Sequence, residues 1–559
     1  MRATTTLIVS IVLTTIGRNS AQLPTGAVVT NGHNCGKIGA AILDLDGSAV
    51  DAAIASLFCE GVSVPQALGL GGGFIMTIYM KETGTAVTLN SREVAPAAAS
   101  QDMFHGDETL AVSGGLAVAV PAELKGYWEA YNKYGGKVPW KNLVQPTIDL
   151  CNNGILVTEN MEKLLASVID TVMNDDLLRE TYIDPKTNKT YVQNQYIRRP
   201  RLAKFLGVVA DLGADALYNG VLTDAFVQDI QDKGGIITRE DLNNYEPQWL
   251  TPVKVPMPFD QTLYTPPLPT SGVILGLILN ILNGYLDYSQ PESTTNWQRI
   301  VESFKYGFAK RTELGDPAFV EMDAILANLT STTYAEGIRS SIFDDQTFQD
   351  PAHYGANITQ QPDHGTGNIC VLAPNGDAVA VTSTINLNFG ARFMSNSTGI
   401  ILNDQMDDFS SPGFINSFGV PPSPSNFIEP GKRPVSSMCP SIVVDDDGDV
   451  ILVVGGSGGT QIITSVALTI IKNLWFNFTI HDAVADKRLH HQLYPMWIEF
   501  EDTYSDELVN ALHEIGHEYK MVSLGMGFNA VTSISCENGT IEGTFDPRRG
   551  GDEAYVYIN

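Results

Sequence analysis

Residues 363–390 read DHGTGNICVLAPNGDAVAVTSTINLNFG, two short apolar runs on either side of a turn signal. The runs, 369–372 and 378–381, flank Asn375-Gly376, a pair that favours a tight hairpin turn. The stretch therefore predicts an antiparallel hairpin with Thr366 at its head and Gly365 immediately before it. A threonine hydroxyl is a poor nucleophile until a base stands beside it. A chain cut before Thr366 would supply one, since a free α-amino group has a reference pKa of ~7.7–8 and is partly neutral near physiological pH. Gly365 has no Cβ, so it tolerates the distorted backbone through which the Thr366 hydroxyl would reach the Gly365 carbonyl. On the hairpin alone, an ordinary edge-strand threonine is the simpler reading.

Working outward, a second hairpin is predicted from 441–444 and 450–454, joined around Asp447-Gly448. Consecutive antiparallel hairpins argue for stacked antiparallel sheets and against a doubly wound parallel one. The first half reads as largely helical, with amphipathic segments around 49–58, 122–133 and 223–234. No tandem repeat is evident. Residues 416–440 are rich in Pro, Ser and Asn and read as a long loop, a common form for a lid.

With 559 residues the chain can bury a large core and would usually form several domains. Its 63 acidic side chains against 34 Lys and Arg argue against nucleic acid and anionic membrane surfaces as partners. Residues 1–21 read as a secretory signal: Arg2, an apolar core over 7–16, then small residues at 17–21. The apolar run is about half of the ~20 residues that span a bilayer. Secretion is expected, with an uncleaved N-terminal anchor as the alternative. Asn188, Asn328, Asn357, Asn396, Asn477 and Asn538 each begin an Asn-x-Ser/Thr acceptor, which agrees with export. Of the six cysteines, Cys35 opens one predicted helix and Cys59 closes the next, with Asp46-Gly47 turning between them. An antiparallel helix pair would bring both to one end, within disulfide reach. Cys370 lies in a predicted strand and reads as a buried thiol, while Cys151, Cys439 and Cys536 have no evident pairing.

Two patterns are set aside. His513-Glu514-Ile515-Gly516-His517 satisfies HExxH, whose zinc chemistry needs both histidines on one face of a continuous helix. Here Ser505 reads as an N-cap and Gly516 as the helix end, so His517 falls beyond it. Gly455-Gly456-Ser457-Gly458-Gly459 satisfies GxSxG, with Asp486 and His490 following in the order an α/β-hydrolase requires. Its incoming strand comes from an antiparallel hairpin, however, and the nucleophile elbow belongs to a parallel sheet. The glycines are better used as bare backbone at a helix N-terminus, where amides and dipole favour negative charge.

Several stretches resemble the γ-glutamyltranspeptidase family. They are DHGT at 363–366, TSTIN at 382–386, NDQMDDFSSP at 403–412, PGKRPVSSMCP at 430–440 and GGSGGTQI at 455–462. In the first half the resemblance is carried by DGSAVDAAIA at 46–55, LGGGFIMTIY at 70–79, NSREVAP at 90–96 and AVPAELKGY at 119–127. GGIITREDLNNY at 234–245 and LHHQLYP at 489–495 continue it, so it runs in order from about Gly32 to the C-terminus.

The resemblance implies an α+β fold, the four-layer αββα sandwich of N-terminal-nucleophile hydrolases. It implies self-cleavage between Gly365 and Thr366, giving a large chain, 22–365, and a small chain, 366–559, that share one fold. It also supports the Cys35–Cys59 pairing. The implied donor is glutathione or another γ-glutamyl compound, with an amino acid, a dipeptide or water as acceptor, and neither a metal nor an organic cofactor is required.

Residue by residue, Thr366 is similar to the family nucleophile, with its own α-amine as base, and Thr384 to the threonine that orients it. Gly458 and Gly459 match the oxyanion pair. Arg92, Ser436 and Ser437 match the groups that hold the donor's α-carboxylate; Asn386 and Asp408 match those that hold its α-ammonium. Gln405 stands where many animal relatives have glutamate, so one negative charge is missing and α-amino recognition should be weaker. Without these motifs, Arg92 would read as a surface arginine and the serine pair as a loop turn. An acylase of different side-chain specificity keeps the fold, but Asn386, Gln405 and Asp408 argue for an amino-acid head. A secreted non-catalytic or toxin-like relative is the remaining alternative.

Overall fold

The computed structural model describes residues 23–359, 365–412, 421–523 and 528–557. The signal read at 1–21, Asp363 and His364, and the part of the predicted loop at 416–420 lie outside them.

Two antiparallel sheets face each other. The first has seven strands in the order Asp552–Val556, Gly26–Thr30, Gly367–Leu372, Ala378–Thr384, Gly73–Met80, Thr85–Ser91, Gln248–Leu250. The second has six: Thr540–Phe545, Ala530–Glu537, Val450–Ser457, Ser441–Val444, Thr262–Thr265, Val253–Pro256. Side chains alternate between faces along each strand, and here both faces are covered. Ala27, Val29, Cys370 and Ala380 meet Ile442, Val453 and Ile534 in the layer between the sheets. The alternate residues Val28, Ile369, Val371 and Val381 pack outward with residues of helices Ala49–Ser63, Trp140–Asn153 and Pro200–Leu212. Val443, Leu452 and Val454 do the same on the far side with residues of Gly272–Leu282, Thr294–Arg311 and Gln461–Ile470. The order of layers is helix, sheet, sheet, helix, as expected.

Both predicted hairpins form. In the first, Leu372 pairs with Ala378, and the turn is closed by the Ala373 N–H donating to Asp377 O at 2.8 Å. Gly376 takes a φ of 85°. Pro374 holds its own φ negative, so Asn-Gly serves a three-residue loop with one left-handed position. The first half is less helical than the sequence suggested, because Gly73–Met80 and Thr85–Ser91 form a hairpin inside the seven-stranded sheet. GFIMTIYM is apolar on both faces and lacks the period-two signal of a half-exposed strand.

Helices Cys35–Asp44 and Ala49–Ser63 form the expected antiparallel pair. Ser48 and Asp51 make a capping box at the start of the second. Cys35 and Cys59 are disulfide-bonded with their Cα atoms 5.4 Å apart. The helix continues one turn past Cys59 to Ser63, since Val62 still has a buried face to cover. Helix Asp506–Ile515 is capped by Ser505 and stopped by Gly516 at φ 114°. His517 then turns into the core, its Nε2 2.6 Å from Gln298 Oε1, so the two HExxH histidines do not share a helix face. Strand Val450–Ser457 is antiparallel to both neighbours, which removes the parallel setting a GxSxG serine needs. Among the described residues no helix is long and apolar enough to cross a membrane. All six sequon asparagines are exposed.

Candidate active site

Strand Gly367–Leu372 lies in the interior of the seven-stranded sheet, and Thr366 is the residue just before it. Thr366 is buried, with a φ of 89°. A β-branched residue in that region carries strain on the order of 1–3 kcal/mol. Gly365 also has a positive φ, 68°, and a Cβ there would fall 1.7 Å from the Asn386 carbonyl oxygen. Glycine is therefore required at 365 for both conformation and space. Two successive positive-φ residues, of which Thr366 carries the strain, flank the peptide that the sequence marks for cleavage, while the Thr366 N–H donates to Ala67 O at 3.3 Å.

Thr384 ends the neighbouring strand, where Ser383 pairs with Gly367. Its Oγ1 accepts the Asn386 N–H at 2.9 Å. Asn386, at φ 71°, donates its side-chain amide to Asp404 O at 3.3 Å and also hydrogen-bonds the Asp407 carboxyl. Asp407 is partly buried. Burial, and then the neighbouring Asp408, push its carboxyl up to about 7.

The short 3-10 turn Gln405–Asp408 carries the second cluster. Asp408 Oδ2 accepts from Arg92 Nη2 and from Gln405 Nε2, the latter at 2.9 Å. The Arg92 and Asp408 side chains are 1% and 3% exposed, so this is a buried ion pair. Glu93 Oε2 lies 3.6 Å from Arg92 Nη1, and burial raises the Glu93 carboxyl to about 7 against the pull of Arg92. Around the Arg92–Asp408 pair, the buried polar atoms without a hydrogen-bond partner among the described residues include Arg92 Nε and Nη1, Gln405 Oε1 and both Glu93 carboxyl oxygens. Arg92 supplies two donors, Gln405 a neutral acceptor, and Glu93 a carboxyl that burial raises to about 7. Buried polar atoms are normally paired, so the set calls for a ligand with complementary groups.

Ser436 and Ser437 are buried on the approach to strand Ser441–Val444. Ser436 Oγ accepts the Met438 N–H at 3.2 Å, and its carbonyl accepts from Ser271 Oγ at 2.7 Å. Ser437 Oγ accepts from Arg311 Nη2 at 2.9 Å. Sequence reading missed Arg311 and Ser271. A Lys-Arg pair in the last turn of a helix is what the macrodipole favours on any surface, and nothing in the sequence marked Arg311 as buried.

Gly458 and Gly459 follow strand Val450–Ser457 of the opposite sheet and lead into helix Gln461–Ile470, with φ of 112° and 65°. A Cβ on Gly458 would lie 2.5 Å from Asn529 Cβ. One on Gly455 would lie 2.2 Å from Asn368 Oδ1, so this strand is pressed against the one that Thr366 heads.

Two further buried carboxyls were not anticipated. Glu123 accepts from Ser383 Oγ at 2.8 Å and from Tyr127 OH. Glu60 accepts from the backbone N–H groups of Asn31 and Gly32, the latter at 2.9 Å. Burial pushes each up to about 8. Among the described residues, no group of three or more His, Cys, Asp or Glu side chains is arranged to hold a metal ion.

Facing antiparallel sheets between helical layers form the fold of the N-terminal-nucleophile hydrolases. A cephalosporin acylase from Bacillus halodurans shares this fold at 23% identity, with a TM-score of 0.83 over 96% of this chain and 97% of its own. The γ-glutamyltranspeptidase from Pseudomonas nitroreducens, complexed with L-DON, is 30% identical with a TM-score of 0.51, covering 57% of this chain and 95% of its own. Scoloptoxin SSD14 of Scolopendra dehaani is 42% identical over 94% of this chain and 91% of its own length. Glutathione hydrolase proenzyme 1 of Schizosaccharomyces pombe is 38% identical over 94% of this chain and 83% of its own. Residues 35–556 match the gamma-glutamyltranspeptidase family, and the chain belongs to it. It is an enzyme of γ-glutamyl transfer and hydrolysis.

Proposed function

We propose that Thr366 is the nucleophile and that it is released by cleavage of the Gly365–Thr366 peptide. Thr366 Oγ attacks the Gly365 carbonyl, the acyl group shifts from nitrogen to oxygen, and water hydrolyses the ester. Gly365 is left as a carboxylate and Thr366 with a free amine. The positive φ on both sides of that peptide supports this order of events.

In turnover, Thr366 Oγ attacks the γ-carbonyl of the donor while the α-amine takes its proton and passes it to the leaving amine. The N–H groups of Gly458 and Gly459 stabilise the tetrahedral oxyanion. The resulting γ-glutamyl ester is taken by water, giving glutamate, or by the amine of an amino acid or dipeptide. Thr384 acts through the Asn386 loop that it pins, and so positions the site.

The observation that carries the substrate assignment is the set of unsatisfied atoms on Arg92 and Gln405 beside Asp408. A donor's α-carboxylate would accept from Arg92 Nε and Nη1, and its α-ammonium would donate to Asp408 and Gln405 Oε1. A zwitterionic head thereby enters a buried ion pair without leaving either charge uncompensated. A glutaryl side chain has no ammonium and would leave Gln405 Oε1 and Asp408 without their new partner. Ser436 and Ser437, backed by Arg311, would add hydroxyl donors to the carboxylate, and Asn386 would help fix the ammonium.

The chain is proposed to be secreted, with an N-terminal anchor as the alternative, and glycosylated at some of its six acceptors. The test is a denaturing gel of the purified protein, N-terminal reading of the smaller band, and turnover of a γ-glutamyl anilide. A band beginning at Thr366 with matching turnover is expected, and Thr366→Ala should abolish both. An uncleaved but fully active Thr366→Ala variant would refute the assignment.

A further inference from the structure

An open groove of ≈ 690 Å³ lies outside the residues assigned above. Tyr494, Trp497 and Tyr519 contribute aromatic rings to it, and Asp350 and Glu518 contribute carboxylates. Asn357 is part of the same wall, and it begins the acceptor Asn357-Ile358-Thr359. Tyr519 is 40% exposed and Glu518 is exposed, whereas Trp497 is half-buried. A groove of this size with aromatic faces and a few polar groups has the composition of a ligand site.

The backbone fixes where the Asn357 side chain starts. Just before it, Ala356 is buried and donates its N–H to Pro351 O at 3.2 Å. Two residues on, the Thr359 N–H donates to Pro421 O at 3.0 Å and its carbonyl accepts from Ser423 at 2.8 Å. Asn357 itself is exposed between these two anchors, so a group attached to its amide leaves from a fixed point on the groove wall.

We propose that Asn357 carries an N-linked glycan whose first two N-acetylglucosamine units lie in this groove. In the attachment step, the Asn357 amide nitrogen bonds to the anomeric carbon of a lipid-diphosphate-linked oligosaccharide and loses one proton. The lipid diphosphate departs with the electrons of the broken glycosidic bond. The C–H faces of the sugar rings stack on Trp497 and Tyr519, and their hydroxyls donate to Asp350 and Glu518. The inference stands independently of the catalytic assignment.

The full chain is secreted from insect cells, and amidase release of glycans from the folded protein is followed at each acceptor by peptide mass spectrometry. Asn538 is a suitable comparator: it lies in the turn between Ala530–Glu537 and Thr540–Phe545, next to Gly539, around which a Cβ would meet nothing within 4 Å. The denatured protein supplies a second reference for the same site. Release from folded protein at Asn357 should be roughly tenfold slower than from the denatured chain, as expected for sugars held by ring stacking. Tyr519→Ala, at an exposed position, and Trp497→Ala should each speed it toward the denatured rate. An unmodified Asn357 would overturn the proposal. So would release that is equally fast in folded and denatured protein, or protection unchanged in Tyr519→Ala where Trp497→Ala does not fold.

Discussion

Removing one partner of the Arg92–Asp408 pair should cost much more stability than removing both. The two side chains are 1% and 3% exposed, so neither charge can recover hydration once its partner is gone. In Arg92→Met, Asp408 and the nearby Glu93 both lose their cation in a site already depleted of water. Breaking a buried pair in this way costs about 3–5 kcal/mol. In Asp408→Leu the arginine keeps Glu93 at 3.6 Å as a substitute counter-ion, so the loss should fall toward the lower end of that range. The double variant, Arg92→Met with Asp408→Leu, leaves only Glu93, which burial already favours as the neutral acid, and should lie within about 2 kcal/mol of the parent. Denaturant midpoints at pH 7 for the four proteins give the coupling directly. All three variants should lose turnover of a γ-glutamyl anilide, so stability and activity separate in the double variant. If the double variant loses as much stability as the two singles summed, the pair is not a mutually compensating buried unit, and the exchange mechanism for the donor's head group falls with it.

Three further outcomes are expected. Gly365→Ala places a Cβ 1.7 Å from the Asn386 carbonyl in a left-handed conformation, so cleavage followed by gel should slow by roughly tenfold or more; wild-type cleavage speed would contradict the geometry. Glu60 and Glu123 are held neutral up to about pH 8 and Glu93 up to about 7, whereas an unfolded chain releases these protons near 4.5. The folded form then binds more protons between those values, so the thermal midpoint should fall as pH rises from 5 to 8; a flat or rising curve would show the carboxyls ionised in the fold. Cys35→Ser opens a disulfide spanning 24 residues and should cost about 3 kcal/mol, read by calorimetry, with an unchanged transition as the contrary result.

Much of the architecture was legible because both hairpins announce themselves locally. The turn at Asn375-Gly376 and the alternation around it are short-range signals, and the turn at Asp447-Gly448 is another. Strand Gly73–Met80 was not legible as a strand, because burial on both faces erases the periodicity that marks one. The motifs located the site residues, but not their partners. Arg92 and Asp408 are 316 residues apart, and their mutual contact is a property of the folded sheets. The same holds for Arg311 against Ser437, 126 residues apart, and for Glu123 beneath Ser383. No local pattern distinguishes a buried glutamate from a surface one.

The strand order of the seven-stranded sheet also sets the lifetime of the molecule. Strand Gly367–Leu372 has Gly26–Thr30 on one side, and Gly26–Thr30 in turn is paired with Asp552–Val556. Segments from either side of residue 365 therefore interleave in this sheet, with Gly26–Thr30 from before it held between two strands from after it. The uncut chain can assemble this weave because its ends are tethered; the two pieces, once cut and unfolded, would have to find each other in solution and interleave. Were the chain cleaved before Thr366 as proposed, denaturation would become a one-way event. The durability of such a two-piece enzyme would be set by how slowly it unfolds and not by an equilibrium constant.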